Sequence, residues 1–402
     1  MRYKNCRRRP PGQEINQRLR LTPRSMGQPA GSVTGRERRS GGWLPPLALA
    51  LACAFLGSGC GSAGHPGAAV GASPTPRSPL PTGTLVTTLT VGTVGGEGSS
   101  CIAVDPAMGR VDVGQRQSGL VASFDAASDT VAALAPVYRQ PDVLAVDSGN
   151  GRIYTANEGT QTAGVPIDPG VTVIDEASGK VLISLLGQLY PSEVAVNPVT
   201  HKVYVVNSDP TGAVSQSNVT VLDPTTYAIT RTIRIGNSGS SYTRTAAVDA
   251  SRNRIYIPNG GDQTISVING ATDSVAATFG PYPFESAVVL AVNTSDNRLY
   301  ALDENDNQVL VLDAASGSQI GSPIPVGNGS NDIAVDPAIN RAYVTNASDN
   351  SLTVIDGATG DVRSTLDLGF SPWLVAVNST THRIYVTCGS QNTVTVLDGT
   401  KI

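Results

Sequence analysis

The 402 residues include only 5% aromatic and 15% charged side chains, and 43 of them are glycine. Val, Thr, Ile, Asn and Asp dominate the second half, a mix that favours many short strands joined by tight turns. Residues 1–60 hold eleven Lys and Arg against two Glu, leaving 17 basic and 30 acidic residues in 61–402. An acidic body repels phosphate backbones, so nucleic acid is not an expected partner.

The N-terminus reads as an address. "RERRSGGWLPPLALALACAFLGSGCGSAG" places Arg36, Arg38 and Arg39 before an apolar run from Trp43 to Leu56, then small residues. The run is shorter than the ~20 residues of a comfortable membrane span. The segment resembles a bacterial lipoprotein signal, which implies that Cys60 becomes the lipidated first residue of the mature chain. Leu56 departs from that pattern by lying four residues before the cysteine rather than three. Plain secretion and an uncleaved anchor stay open as alternatives. Residues 1–25 resemble no part of a signal, and Met26 offers a second start with a more ordinary basic region. The expected location is the outer face of the cell membrane or the medium, with Cys60 as the only membrane attachment. Residues 61–83, rich in Gly, Ala, Ser and Pro, have no apolar period and read as a flexible tether.

From 84 onward the chain repeats itself. An Ala-Val-Asp/Asn anchor recurs at Val104, Val146, Val196, Val248, Val292, Val335 and Val377, spaced by 42, 50, 52, 44, 43 and 42 residues. Each copy continues with a polar turn, a strand such as "NRIYIPN" or "NRAYVTN", a loop, a strand such as "VTVIDEASG" or "LTVIDGATG", and a fourth apolar stretch. Four short strands per unit of this length predict a propeller blade, and seven units predict a seven-bladed, all-β propeller over 84–402. The chain ends at Ile402 after the third strand of the seventh copy, while "TLVTTLTVG" (84–92) stands alone before the first. That orphan strand is expected to complete the last blade, pairing with 393–398 and removing two open edges. The first copy is the weakest, with Asp112 where six others carry Tyr.

"YVTN" at 343–346 and "TVIDGATG" at 353–360 resemble the bacterial YVTN-repeat β-propellers, and the resemblance covers about 84–402. It implies an exported, seven-bladed protein of envelope or surface-layer type, and no common reaction. A fold does not confer a function.

In such a meander the a–b and c–d turns leave on one face, and the b–c and d–a loops on the other. The first set is short and nearly identical between copies, as expected of Asx and Gly turn chemistry. The second set varies. Two b–c loops are long, 157–170 in blade 2 and 207–218 in blade 3, and they are expected on one face in neighbouring blades. At the start of strand a, beside the channel, the repeat breaks down into Ser100, Asp142, Ser192, Arg244, Val288, Asn331 and Trp373, with Glu193 and Asp332 adjacent. The candidate binding residues at the channel mouth are Asp142, Glu193, Arg244, Asn331, Asp332 and Trp373, set against a merely solvated rim. The expected ligand is a protein, peptide or small molecule.

Catalytic chemistry is sparse. Of the three His, His65 lies in the tether, and His201 and His382 read as surface residues of a–b turns. A His-rich metal site is therefore unavailable, and no CxxC, haem motif or G-x-S-x-G elbow occurs. "DENDNQ" (303–308) lacks the Gly and closing Glu of a calcium loop and reads as a hairpin turn. Asp175, Asp223, Asp313, Asp356 and Asp398 read as turn residues, and the six repeated Tyr as packing. No catalytic residue, cofactor or metal ligand is expected. The alternative is a propeller enzyme of lactonase or lyase type, with Asp142, Glu193 and Asp332 holding a divalent cation. Cys101 and Cys388, at the two sides of the ring's seam on the loop-bearing face, are candidates for a disulfide in an oxidising compartment.

Overall fold

The computed structural model describes residues 76–91, 99–137, 140–157, 160–162, 165–167, 169–186, 191–207, 217–236, 243–284, 288–388 and 391–402. The signal region, Cys60, His65 and most of the tether lie outside these residues. Seven sheets of four antiparallel strands, a to d from the axis outward, form a closed ring. Strand a opens the blades at Ser99–Asp105, Pro141–Asp147, Pro191–Val196, Ala247–Asp249, Val288–Asn293, Ser330–Asp336 and Pro372–Asn378. No helix among the described residues is long and apolar enough to cross a membrane.

The ring closes as its repeat requires. Leu85–Thr90 is strand d of blade 7, antiparallel to Thr393–Asp398, with Leu85 opposite Leu397 and Thr90 opposite Thr393. The Asp398 N–H donates to the Thr84 carbonyl at 2.8 Å, and Lys401 Nζ to that of Gly83 at 2.8 Å. The tether is shorter than its composition suggests. Arg77–Pro79 pairs in parallel with Thr365–Asp367 on the outer edge of blade 6. Arg77 there meets the nearly buried Asp349 at 2.7 Å, so a charge pair fixes what Pro and Ser content alone would leave loose.

The core lies between blades. Six of the inter-blade clusters contain the repeated Tyr of strand b: Tyr154, Tyr204, Tyr256, Tyr300, Tyr343 and Tyr385, all fully buried. Each Tyr belongs to the seam with the following blade. Tyr256 Oη donates to the Ala314 carbonyl in the c–d turn of blade 5 at 2.6 Å, and Tyr204 Oη to Asp273 in that of blade 4 at 2.7 Å. The basic residue two positions earlier reaches the same turn. Arg254 donates to the Ala315 carbonyl at 3.1 Å, Lys202 to Asp273 at 2.6 Å, and Arg383 to the Ala126 carbonyl of blade 1 at 2.5 Å. In blades 3 and 4 the basic-x-Tyr motif is thus an inter-blade latch, and in blade 7 its Arg383 plays that part.

The turns explain the repeated Asp and Asn. At the c–d turns, Asp125, Asp223, Asp313 and Asp356 each accept the N–H groups two and three residues on. Those donors hold the Asp125, Asp223 and Asp313 carboxyls below the usual range. "DENDNQ" is such a turn as well, Asp303 accepting from Asn305 N–H at 3.1 Å. The a–b turns do more than the sequence suggests. Their residue at positive φ (His201, Asn253, Asn340, His382) bonds the Asp or Asn that closes strand a of the preceding blade. His201 Nδ1 lies 2.7 Å from Asp147 and His382 Nδ1 2.8 Å from Asp336; Asn340 accepts from Asn293 at 2.7 Å. The two histidines are therefore partly buried partners of fully buried carboxylates, not plain surface residues.

Candidate functional site

The innermost strands enclose a cavity of about 330 Å³ lined from blades 1, 2, 3, 4, 6 and 7. Three of the six candidate residues, Asp142, Glu193 and Asp332, share it. The local backbone accounts for the break in the repeat at its rim. The a–b ladder slips at the start of strand a in blades 1, 2, 3, 6 and 7, skipping Ser100, Asp142, Ser192, Asn331 and the pair Trp373–Leu374. A bulged residue leaves the pleat, and its side chain is re-aimed. Packing between blades no longer dictates its identity, so the repeat diverges there.

The candidates differ in what they do. Asp142 is paired with Arg116 Nε of blade 1 at 3.2 Å. Asn331 Nδ2 donates to the Trp373 carbonyl at 2.7 Å, and Asp332 accepts the Ile333 and Val375 N–H groups at 2.9 and 2.8 Å. Both thereby tie blade 6 to blade 7 across the top of the ring. Trp373 is 36% exposed. The Arg244 side chain lies outside the described residues.

Glu193 stands apart. It is 3% exposed, and no hydrogen-bond partner reaches its Oε2. Burial, reinforced by the Asp332 charge, pushes its carboxyl well above the usual range, against the pull of the Val194 and Ala246 N–H groups. A buried acceptor without a donor is costly, and a strongly perturbed carboxyl that lines a cavity is a candidate site.

The cavity's other reactive group is inert. Burial pushes the Cys101 thiol up to about 12, so no thiolate nucleophile is on hand. Cys101 and Cys388 are both buried and neither forms a disulfide. The reason is direction: Cys101 packs into the seam with blade 2, beside Leu144 and 3.8 Å from the Pro141 carbonyl, facing away from blade 7. Among the described residues, no three His, Cys, Asp or Glu side chains gather closely enough to hold a metal ion. Asp142, Glu193 and Asp332 line one space without forming a coordination cluster. Of the long loops, 157–170 contains a small hairpin, Thr160–Thr162 with Val165–Ile167. Most of 207–218 lies outside the described residues.

A second acidic group lies at the blade 1/2 seam, the one cluster without a Tyr. Asp112 occupies the Tyr position and is buried, as is Asp105 at the end of strand a. Glu176 of the blade 2 c–d turn enters the vacated space, fully buried. Its position holds Ala126, Pro224, Gly270, Ala314, Gly357 or Gly399 in the other blades. The signal was present in the sequence as two deviations in neighbouring copies. No protein-family model matches the chain, and no curated protein matches it.

Proposed function

We propose that the chain is an exported, lipid-anchored propeller of the YVTN-repeat type, serving the cell envelope as a non-catalytic binding module. Its ligand or partner docks at the loop-bearing face over the channel cavity. One observation carries the reading: the starts of strand a surround a cavity whose wall holds a buried Glu193 oxygen without a hydrogen-bond partner. The a–b and c–d turns of the opposite face are occupied with latching the blades together. The resemblance of "YVTN" and "TVIDGATG" supports the family, and the basic–apolar–Cys60 order supports the anchor.

The test is capture from envelope extracts. A variant with 158–168 replaced by the short "ASDNS" turn of blade 6, and one with Trp373→Ala, should each lose the partner that the unaltered protein retains. Retention by both variants rejects the loop-bearing face as the site. Palmitate labelling should vanish in Cys60→Ser; persistent labelling rejects that anchor. The enzymatic alternative of a carboxylate-held cation lacks a ligand cluster among the described residues.

A further inference from the structure

The seam between blades 1 and 2 lacks two contacts that hold other seams. At four other seams a turn His or Asn of the following blade bonds the residue that closes strand a. Here that turn residue is Gly151, at positive φ, with open space where a side chain would stand. Asp105 accepts the Ala107 and Met108 N–H groups on Oδ1, and its Oδ2 has no hydrogen-bond partner. The Tyr that packs the other six seams is replaced by Asp112, whose Oδ1 accepts from Ser123 and whose Oδ2 is unpartnered. Arg110 Nε, two residues earlier, is also buried without a partner. Into this gap blade 2 sends Glu176, with neither oxygen bonded. Asp105, Asp112 and Glu176 are all fully buried. Carboxylates in that setting cost far more than carboxylic acids.

We propose that the blade 1/2 seam is a proton-operated joint, closed while its buried carboxyls hold protons and parted when they give them up. Asp105 and Glu176 meet carboxyl to carboxyl, a contact that needs a proton between them. The charged and titratable groups at the joint are Cys101 and Asp105 from strand a of blade 1, Arg110 and Asp112 from strand b, and Glu176 beside the Asp175–Arg152 pair from blade 2. Burial first, then the neighbouring carboxyls, pushes Glu176 up to about 9 and Asp112 to about 7, against the pull of Arg110 and, for Asp112, of Ser123. In the parted seam water returns both to the ordinary carboxylate range near ~4. The closed seam therefore binds more protons than the parted one, and opening gains as pH rises. Each proton released makes opening about tenfold more favourable per pH unit: up to two protons below about 7, one from about 7 to 9, and none above. Strands a of the same two blades line the channel cavity, so parting them enlarges it. The joint belongs to the ring itself and operates whether or not the cavity holds a ligand.

The chain carries its own reporter and control. Cys101 belongs to the apolar cluster of this seam, and Cys388 is buried in blade 7. The experiment is pulsed alkylation of the full chain with iodoacetamide from about pH 6 to about pH 10, read peptide by peptide by mass spectrometry. Each rate is divided by that of glutathione at the same pH, which removes the pH dependence of thiolate chemistry itself. The normalised Cys101 rate should rise about tenfold per unit from about pH 7 to about pH 9 and flatten above, while that of Cys388 stays level. Glu176→Gln, neutral at every pH, should abolish the rise above about pH 7. A normalised Cys101 rate that is flat from about pH 7 to about pH 9, or no labelling of Cys101 at all, overturns the proposal. Equal rises at Cys101 and Cys388 also overturn it, because the whole ring is then unfolding rather than one seam. So does a rise that persists in Glu176→Gln. The unaltered protein decides all but the last of these outcomes, so misfolding of the variant cannot shield the proposal.

Discussion

Restoring the repeat at the blade 1/2 seam should stabilise the ring. The perturbation is Asp112→Tyr with Glu176→Ala, which gives this seam the Tyr of the other six and the small turn residue that the Tyr packs against. In the native seam no hydrogen-bond donor reaches either oxygen of Glu176 or the second oxygen of Asp112. Asp105 and Glu176 meet as two carboxyls, which can bond only if one holds a proton. Burial and the mutual charges push Glu176 up to about 9 and Asp112 to about 7. A buried Tyr adds about 2–3 kcal/mol of apolar burial, and removing unsatisfied carboxylates recovers about 1–3 kcal/mol. Discounting for imperfect fit, the double variant should gain about 2–4 kcal/mol, or roughly 3–6 °C for a propeller of this size. Asp112→Tyr alone collides with Glu176 and should cost about 1–3 kcal/mol. Glu176→Ala alone trades an unsatisfied group for a void and should be near neutral. Both native pKa values are raised, so the folded protein binds more protons than the unfolded chain between about pH 4 and 9. Native stability is therefore fully present below the ordinary carboxylate range and falls as pH rises through about 7 and then about 9. The advantage of the double variant should accordingly be larger at pH 8 than at pH 5. Calorimetric melting of the four proteins at both pH values measures this. Strict additivity of the two substitutions, or an advantage independent of pH, refutes the reasoning.

The latch at the blade 6/7 seam is also testable: His382→Asn should be tolerated, since Asn340 fills the same slot, while His382→Ala should cost about 2–4 kcal/mol by removing a partner of the buried Asp336 and straining a residue at positive φ. Denaturant melts compare the two, and equal costs would reject the latch. Leu89→Ala, in the buried face of the closing strand, should cost about 2–4 kcal/mol and speed unfolding; a change below ~0.5 kcal/mol would mean that the strand adds little to closure. Arg77→Ala should lower global stability by less than ~1 kcal/mol, because the pair is partly exposed. It should still shift limited proteolysis from before residue 77 to before residue 84, and an unchanged cleavage pattern would reject docking of 77–79.

Much of the architecture was legible because periodic features have periodic causes. The Ala-Val anchor, the Tyr and the turn Asp recur once per blade because each seam meets the same packing problem. Closure was readable from a deficit of one strand at one end and a surplus at the other. Direction was harder to read. Cys101 and Cys388 lie where the topology puts them, but the pleat turns the Cys101 side chain into the blade 1/2 seam. His201 and His382 looked like surface residues because a turn residue's own surroundings are polar. Their partners, Asp147 and Asp336, come from the preceding blade and are fully buried. Such contacts between copies appear in no single copy.

The channel mouth shows why function is least legible where the fold is most regular. The bulges free Ser100, Asp142, Ser192, Asn331 and Trp373 from the pleat, so variability there marks permission to vary rather than use. Two of the variable positions, Asn331 and its neighbour Asp332, turned out to bind backbone of the next blade. Glu193 is the contrasting case. It sits one residue beyond a bulge, back in register opposite Val206, at a position where the pleat does constrain the side chain. A carboxylate held there, buried and without a donor at Oε2, costs stability that an apolar residue would not. Its neighbours on the wall show that aliphatic side chains fill such positions readily.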